Sequence, residues 1–181
     1  MDFIPTIDSY AEDTPAQQLW ATLEAKIGGV DGICYYKHPV ITATSAVSPD
    51  IAFLARGYRP HVFLILRYAI DELDDVGTER WRTRHGEIDS PLLALDDLRI
   101  AVNSRMDKVR SLRAKNPAVG TLYMPFISRQ EFETKFGERR SDELLRDLQD
   151  ITIIWSDRDL SSCLEDARRQ LNDQEWRAAQ S

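Results

Sequence analysis

Residues 48 to 70 read SPDIAFLARGYRPHVFLILRYAI, and their reading decides the fold. Pro49-Asp50 heads an apolar run that continues through Ala55. Gly57 and Pro60 then bracket a turn, since glycine tolerates positive φ and proline pre-sets a bend. A second apolar run follows from His61 to Ala69, with Val62, Phe63, Leu64, Ile65 and Leu66 unbroken by a polar residue. An unbroken run of this length predicts a strand buried on both faces, hence central in a sheet.

The pattern extends outward in both directions. Thr14, Pro15 and Gln17 predict a capped helix start with proline at its first position. Leu19, Trp20, Leu23 and Ile27 then form an apolar stripe at helical spacing, closed by Gly28-Gly29. Ile33 to Ile41 is aromatic and β-branched, predicting a strand that Pro39 places at an edge or bulge. Residues 70 to 90 are polar and mixed, predicting a loop or short helical turn anchored by Trp81. Ser90-Pro91 repeats the cap-plus-proline pattern, opening a long helix to about Lys115 with Leu92, Leu95, Leu98, Val102, Met106 and Val109 on one face. Val119 to Ile127 and Ile151 to Trp155 predict two further strands. Between them, Ser128 and Glu131 form a capping box for a short helix, and Ser141 to Leu148 predicts another. A last helix, capped by Asp157 or Asp159, carries Leu160, Leu164, Ala167 and Leu171. Strands interleaved with amphipathic helices predict a single α/β domain over residues 1 to 181, with its core at about 14 to 172.

Composition narrows the function. The chain has 181 residues and a net charge of -7, which opposes strong non-specific binding to phosphate backbones. No apolar run approaches ~20 residues, so no membrane span is expected. The N-terminus, MDFIPTIDSYAED, lacks the basic and apolar regions of a signal peptide, so a cytoplasmic location is expected. No Gly-rich phosphate loop suggests a nucleotide triphosphate partner. Cys34 and Cys163 lie in apolar contexts and predict buried free thiols. His38, His61 and His85 show no metal-ligand spacing and predict packing or surface roles.

The order of elements, with Pro49-Asp50 at the head of the second strand, resembles the PD-(D/E)xK nuclease superfamily. It is most similar to the nuclease-related (NERD-like) domain at the N-terminus of superfamily 1 DNA helicases. The stretches YYKHPV, PDIAFL, SPLLAL, LYMPFISRQEF and IIWSDRDLSSCL carry the likeness, together with residues 61 to 81 closing on Trp81; the whole spans residues 17 to 171. The resemblance implies a restriction-endonuclease-like sandwich, a central mixed sheet flanked by helices. It places Glu24 at the family's leading acid and Asp50 at its metal-binding aspartate. It also implies Glu-x-Lys on the third strand, where alignment on Ile65 puts Leu66 and Tyr68 instead. Sliding the register by one or two residues does not recover the pair. A glutamine of the second helix is replaced by Ala94.

Magnesium chemistry needs converging carboxylates and, in such nucleases, a cation to steady the attacking water. Leu66 and Tyr68 supply neither. The expectation is therefore a catalytically degenerate module without cofactor. It would act as a scaffold in a DNA-processing or defence-type assembly, with a protein partner or a second copy of the chain. Weak DNA contact would come from Arg80, Arg82, Arg84, Arg99, Arg105, Lys108, Arg110 and Arg113, a basic set that could face phosphates. One alternative is an active endonuclease using Mg²⁺ or Mn²⁺ on Glu24, Asp50 and an acid displaced to Asp71. Another is a pure protein-interaction or inhibitor protein.

Overall fold

A computed structural model describes residues 1–5, 8–41, 46–108, 117–160 and 162–168. The chain is α/β, built on a mixed six-stranded sheet. Its strands are β1 (Asp2–Pro5), β2 (Gly32–Tyr36), β5 (Ile51–Ala55), β6 (His61–Ile65), β10 (Val119–Met124) and β11 (Ile151–Trp155), in that spatial order. A two-stranded piece, β3 (Val40–Ile41) with β4 (Ala46–Val47), lies between β2 and β5 in the chain. β5 runs antiparallel to both β2 and β6, while β1–β2, β6–β10 and β10–β11 are parallel.

The long apolar run does form the interior strand: β6 lies between β5 and β10, and four of its five residues are buried. It ends at Ile65 rather than Ala69. β1 adds an edge strand that short, mixed sequence had not signalled. β2 stops at Tyr36, because Lys37 turns the backbone to φ 46° and Pro39 follows.

The alternation of β5 and β6 assigns the two faces. Ile51, Phe53, Ala55, Phe63 and Ile65 share one face with Cys34 and Tyr36. Helix α1 (Thr14–Ile27) covers that face with Leu19, Trp20, Leu23 and Ile27, joined by α5 (Ser162–Ala167) through Cys163, Leu164 and Ala167. Val62, Leu66, Leu122 and Met124 share the other. There helix α2 (Pro91–Met106) packs Leu92, Leu95, Leu98 and Ala101, with Phe132 of α3 (Arg129–Phe136) and Leu144 of α4 (Arg140–Leu145) beside it. Gly120 permits the approach of α2 to β10, since a Cβ there would stand 2.8 Å from Leu95 Cγ.

Several local expectations are corrected. The cap of α1 is Asp13, whose carboxylate accepts from the Ala16 N–H at 3.3 Å, and not Thr14. Ser90 stands at the start of α2, but its hydroxyl makes no capping bond. The capping box of Ser128 and Glu131 is present as expected. Residues 70 to 90 are not a loop. After a 3₁₀ turn they form an antiparallel sheet of β7 (Leu73–Val76), β8 (Arg80–Thr83) and β9 (Gly86–Asp89). Alternation along β8 buries Trp81 and Thr83 and exposes Arg80 and Arg82. The second half of the long helix and the region of Leu171 lie outside the described residues.

Two polar features belong to the core. Cys34 and Cys163 are both buried free thiols, and burial pushes the Cys34 thiol up to about 12. His61 is 2% exposed and stacks on Phe63 with ring centroids 4.2 Å apart. Its Nε2 shares a 2.8 Å hydrogen bond with Thr121 Oγ1, which in turn lies 3.1 Å from Thr152 Oγ1. Burial, and then the nearby Arg59 charge, push the imidazole down to about 3.

Two outcomes are expected. Trp81 is fully buried, so Trp81→Ala should cost ~3–5 kcal/mol in denaturant unfolding if the small sheet belongs to the main core; a loop anchor would cost far less. A histidine whose folded pKa lies below 6.5 contributes stability that is complete above that value and drains away as pH falls toward about 3. Melting temperature should therefore begin to fall below pH 6.5, before the carboxylates titrate, and His61→Phe should flatten that part of the profile.

Candidate functional site

The end of β6 meets the start of β5 and the end of β2 at Asp50. Ladder geometry explains its burial. β5 begins at Ile51, so the Ile65 N–H extends past the last carbonyl of that strand. The Asp50 carboxylate takes the carbonyl's place, accepting from Ile65 N–H at 2.7 Å. Its backbone remains in the sheet: Asp50 N–H donates to Phe63 O, and Asp50 O accepts from Lys37 N–H, both at 2.9 Å.

The other carboxylate oxygen, Oδ1, is held by Arg67 Nη2 at 2.8 Å. The same nitrogen donates to Asp13 Oδ2, and Arg67 Nε donates to Asp13 Oδ1 at 3.2 Å. Tyr36 OH donates to Asp13 Oδ2 at 2.8 Å, and Lys37 Nζ lies 3.9 Å from that oxygen. Arg67 Nη1 donates to the Ile65 carbonyl at 3.0 Å. Two carboxylates thus share one guanidinium, with a lysine at the rim, and the formal charge of these four side chains is balanced. The carboxylates are nearly enclosed, at 8% and 10% side-chain exposure for Asp13 and Asp50, while Arg67 is 37% exposed.

The electrostatics follow from those bonds. Burial by itself pushes the Asp13 carboxyl up, but the hydrogen bonds from Arg67 and Tyr36 outweigh it and hold the group below the usual carboxylate range. Burial likewise opposes the Arg67 charge, and the bonds to Asp50 and Asp13 more than reverse it, raising the guanidinium further. Both groups stay ionised across the physiological range.

The residues expected beside Asp50 are not the ones found there. Leu66 is buried in the cluster under α2, and Tyr68 packs against that same cluster, on the far side of the sheet from the one that Ile65 faces. Ile65, through its N–H, and Arg67, through its side chain, meet Asp50 instead. Glu24 is exposed on α1, where its charge is felt at Tyr10. Asp71 sits in the 3₁₀ turn before β7, paired with Arg84 at 3.3 Å. Among the described residues no three His, Cys, Asp or Glu side chains group so as to hold a metal ion. Glu24, Asp50 and Asp71 therefore do not fit a divalent ion.

The basic residues are largely answered by acids. β8 presents Arg80 and Arg82 outward, but Arg80 pairs with Glu87 at 3.3 Å and Arg82 lies opposite Asp75 and Glu87 in register. Arg99 is held by Asp96 on its own helix at 2.8 Å. Arg105 and Lys108 are exposed at the end of α2, next to exposed Asp107. Arg110 and Arg113 lie outside the described residues.

Asp13, Tyr36, Lys37 and Arg67 were missed as site residues. Arg67 carried one signal: a lone charge closing an apolar strand needs a partner. Set against known proteins, the chain matches no family model, no curated protein and no solved structure. No described helix is long and apolar enough to cross a membrane.

Removing Arg67 should leave two enclosed carboxylates facing each other. Arg67→Ala is expected to cost about 2–3 kcal/mol in denaturant unfolding, less than a fully buried broken pair because the guanidinium is partly solvated. A loss below about 0.5 kcal/mol, ordinary for a surface substitution, would show that the ion pair is not structural.

Proposed function

We propose that the chain is a nuclease-like module that does not cut, and that it works as a scaffold through contact with another protein. The observation that carries this reading is the Arg67 guanidinium on Asp50. On the PD-(D/E)xK resemblance, Asp50 is the metal-binding aspartate. What meets it from the end of the following strand is the Ile65 N–H and the Arg67 side chain, where the resemblance implies glutamate and lysine. The isoleucine side chain offers no ligand. Arginine keeps the charge of lysine but stays protonated and binds its carboxylates through several donors at once.

The site favours protein contact over nucleic-acid contact. Arg80, Arg84 and Arg99 already face carboxylates. The net charge of -7 adds repulsion from a phosphate backbone. A DNA-processing or defence-type assembly in the cytoplasm supplies the setting that the resemblance suggests, and the partner is a protein or a second copy of the chain.

The test is cleavage of single- and double-stranded DNA with Mg²⁺ or Mn²⁺, run beside Asp50→Ala. Neither protein is expected to cut, and any DNA retention at low salt should vanish steeply as salt rises. Cutting by the natural chain that is lost in Asp50→Ala would overturn the reading in favour of an active endonuclease.

A further inference from the structure

The expected metal ligands do not converge, yet the site is not short of oxygen. Arg67 Nη2 contacts Asp13 Oδ2 and stands 2.8 Å from Asp50 Oδ1, while Nη1 of the same group stands 3.0 Å from the Ile65 carbonyl oxygen. Two carboxylate oxygens and one carbonyl oxygen thus surround one end of one cation. Hard divalent ions take such oxygens at roughly 2.0–2.6 Å, and a shell completed by waters suits manganese and calcium alike. The two carboxylate oxygens meet at Nη2 and the carbonyl oxygen at Nη1 of the same group, so an ion in their midst requires them to close in from hydrogen-bond to ligand distance.

We propose that Arg67 is the protein's own cation in a divalent-ion position, so that the site takes an ion from solution only when the guanidinium is removed. The shell is not the one that the resemblance implies. Its second carboxylate is Asp13, the helix cap of α1, and neither Glu24 nor Asp71 takes part. The guanidinium has an advantage that no free ion has. It is tethered to the strand whose carbonyl it also binds, so it pays no translational cost on entering the shell. It also holds its carboxylates through several donors at once, which a point cation cannot do. The consequence is a site kept permanently neutral, whose geometry does not answer to the concentration of Mg²⁺, Mn²⁺ or Ca²⁺. This deepens the scaffold reading and rests on its assignment of Asp50.

The test reads stability, so its failure is distinguishable from a failure of that reading, which DNA cleavage decides. Melting temperature is measured for the natural chain, for Arg67→Ala, and for Arg67→Ala combined with Asp50→Asn. Each is titrated with MnCl₂ against KCl of matched ionic strength. The natural chain should show the same melting temperature in both salts. Arg67→Ala should melt lower and regain stability with Mn²⁺ in a saturable manner, as expected for a ligand that binds only the folded state. The double variant should lose that specific response. If Arg67→Ala does not fold, Arg67→Gln is used, with refolding yield in Mn²⁺ as the readout. A response to Mn²⁺ no greater than to KCl in the single variants overturns the proposal. So does a specific response of equal size in the natural chain, because the guanidinium would then not be filling the position.

Discussion

One guanidinium shared between two carboxylates ties the upper end of this fold together. Asp13 caps α1, Asp50 opens β5, and Arg67 follows β6, so the shared cation joins a helix to two strands. Tyr36 brings the end of β2 into the same cluster. Each carboxylate also satisfies a backbone donor: Asp13 the first turn of α1, Asp50 the last free N–H of β6. Burying either acid without Arg67 would leave a charge in a poorly solvated place, which proteins avoid. Holding the partly exposed arginine here without both acids would turn its donors back to solvent. The arrangement is therefore coupled, and each member makes the others' positions affordable.

The same arrangement accounts for the chemical silence proposed for the site. A catalytic carboxylate needs a lone pair directed at an exchangeable ion or a water. The Asp50 oxygens are directed at a backbone N–H and at a guanidinium, neither of which exchanges. The rest of the polar interior follows a similar economy. His61, Thr121 and Thr152 form a short hydrogen-bonded chain across three strands, with the imidazole kept neutral by burial. On the surface, charge is met locally: Arg80 by Glu87 of the neighbouring strand, Arg84 by Asp71 of the 3₁₀ turn, and Arg99 by Asp96 one turn away.

Much of the fold was legible because it depends on local pattern. The apolar run at Val62–Leu66 predicted an interior strand, and β6 is interior. The stripe of Leu19, Trp20, Leu23 and Ile27 predicted α1 and the face it buries. Polar residues dominate residues 70 to 90, and those that are buried are Leu73, Val76, Trp81, Thr83 and Ser90. Their alternation is short and broken by a bulge between Leu73 and Asp75, which hides the strand period. β1 was missed for a related reason: four residues ending in proline carry little signal unless a parallel neighbour is already present to pair with them.

The site shows where sequence stops and tertiary structure begins. Asp50 stood out on the page, because an aspartate after proline at a strand start is a local pattern. Which residues of β6 face it was not local. Side chains alternate with period two, so Leu66 and Tyr68 join the cluster under α2, while Arg67, just past the end of β6, reaches Asp50 and Asp13. Register is set by pairing with β5 and β10, and no residue within β6 encodes it. The partner of Arg67 was hidden more deeply still, since Asp13 lies 54 residues away in the chain and announces itself only as a helix cap. The sequence by itself determined the helices, the interior strand and the candidate aspartate, because hydrophobic period and capping act over a few residues. The tertiary structure alone decided which cation meets that aspartate, because a charge pair across three elements exists only once their register is set.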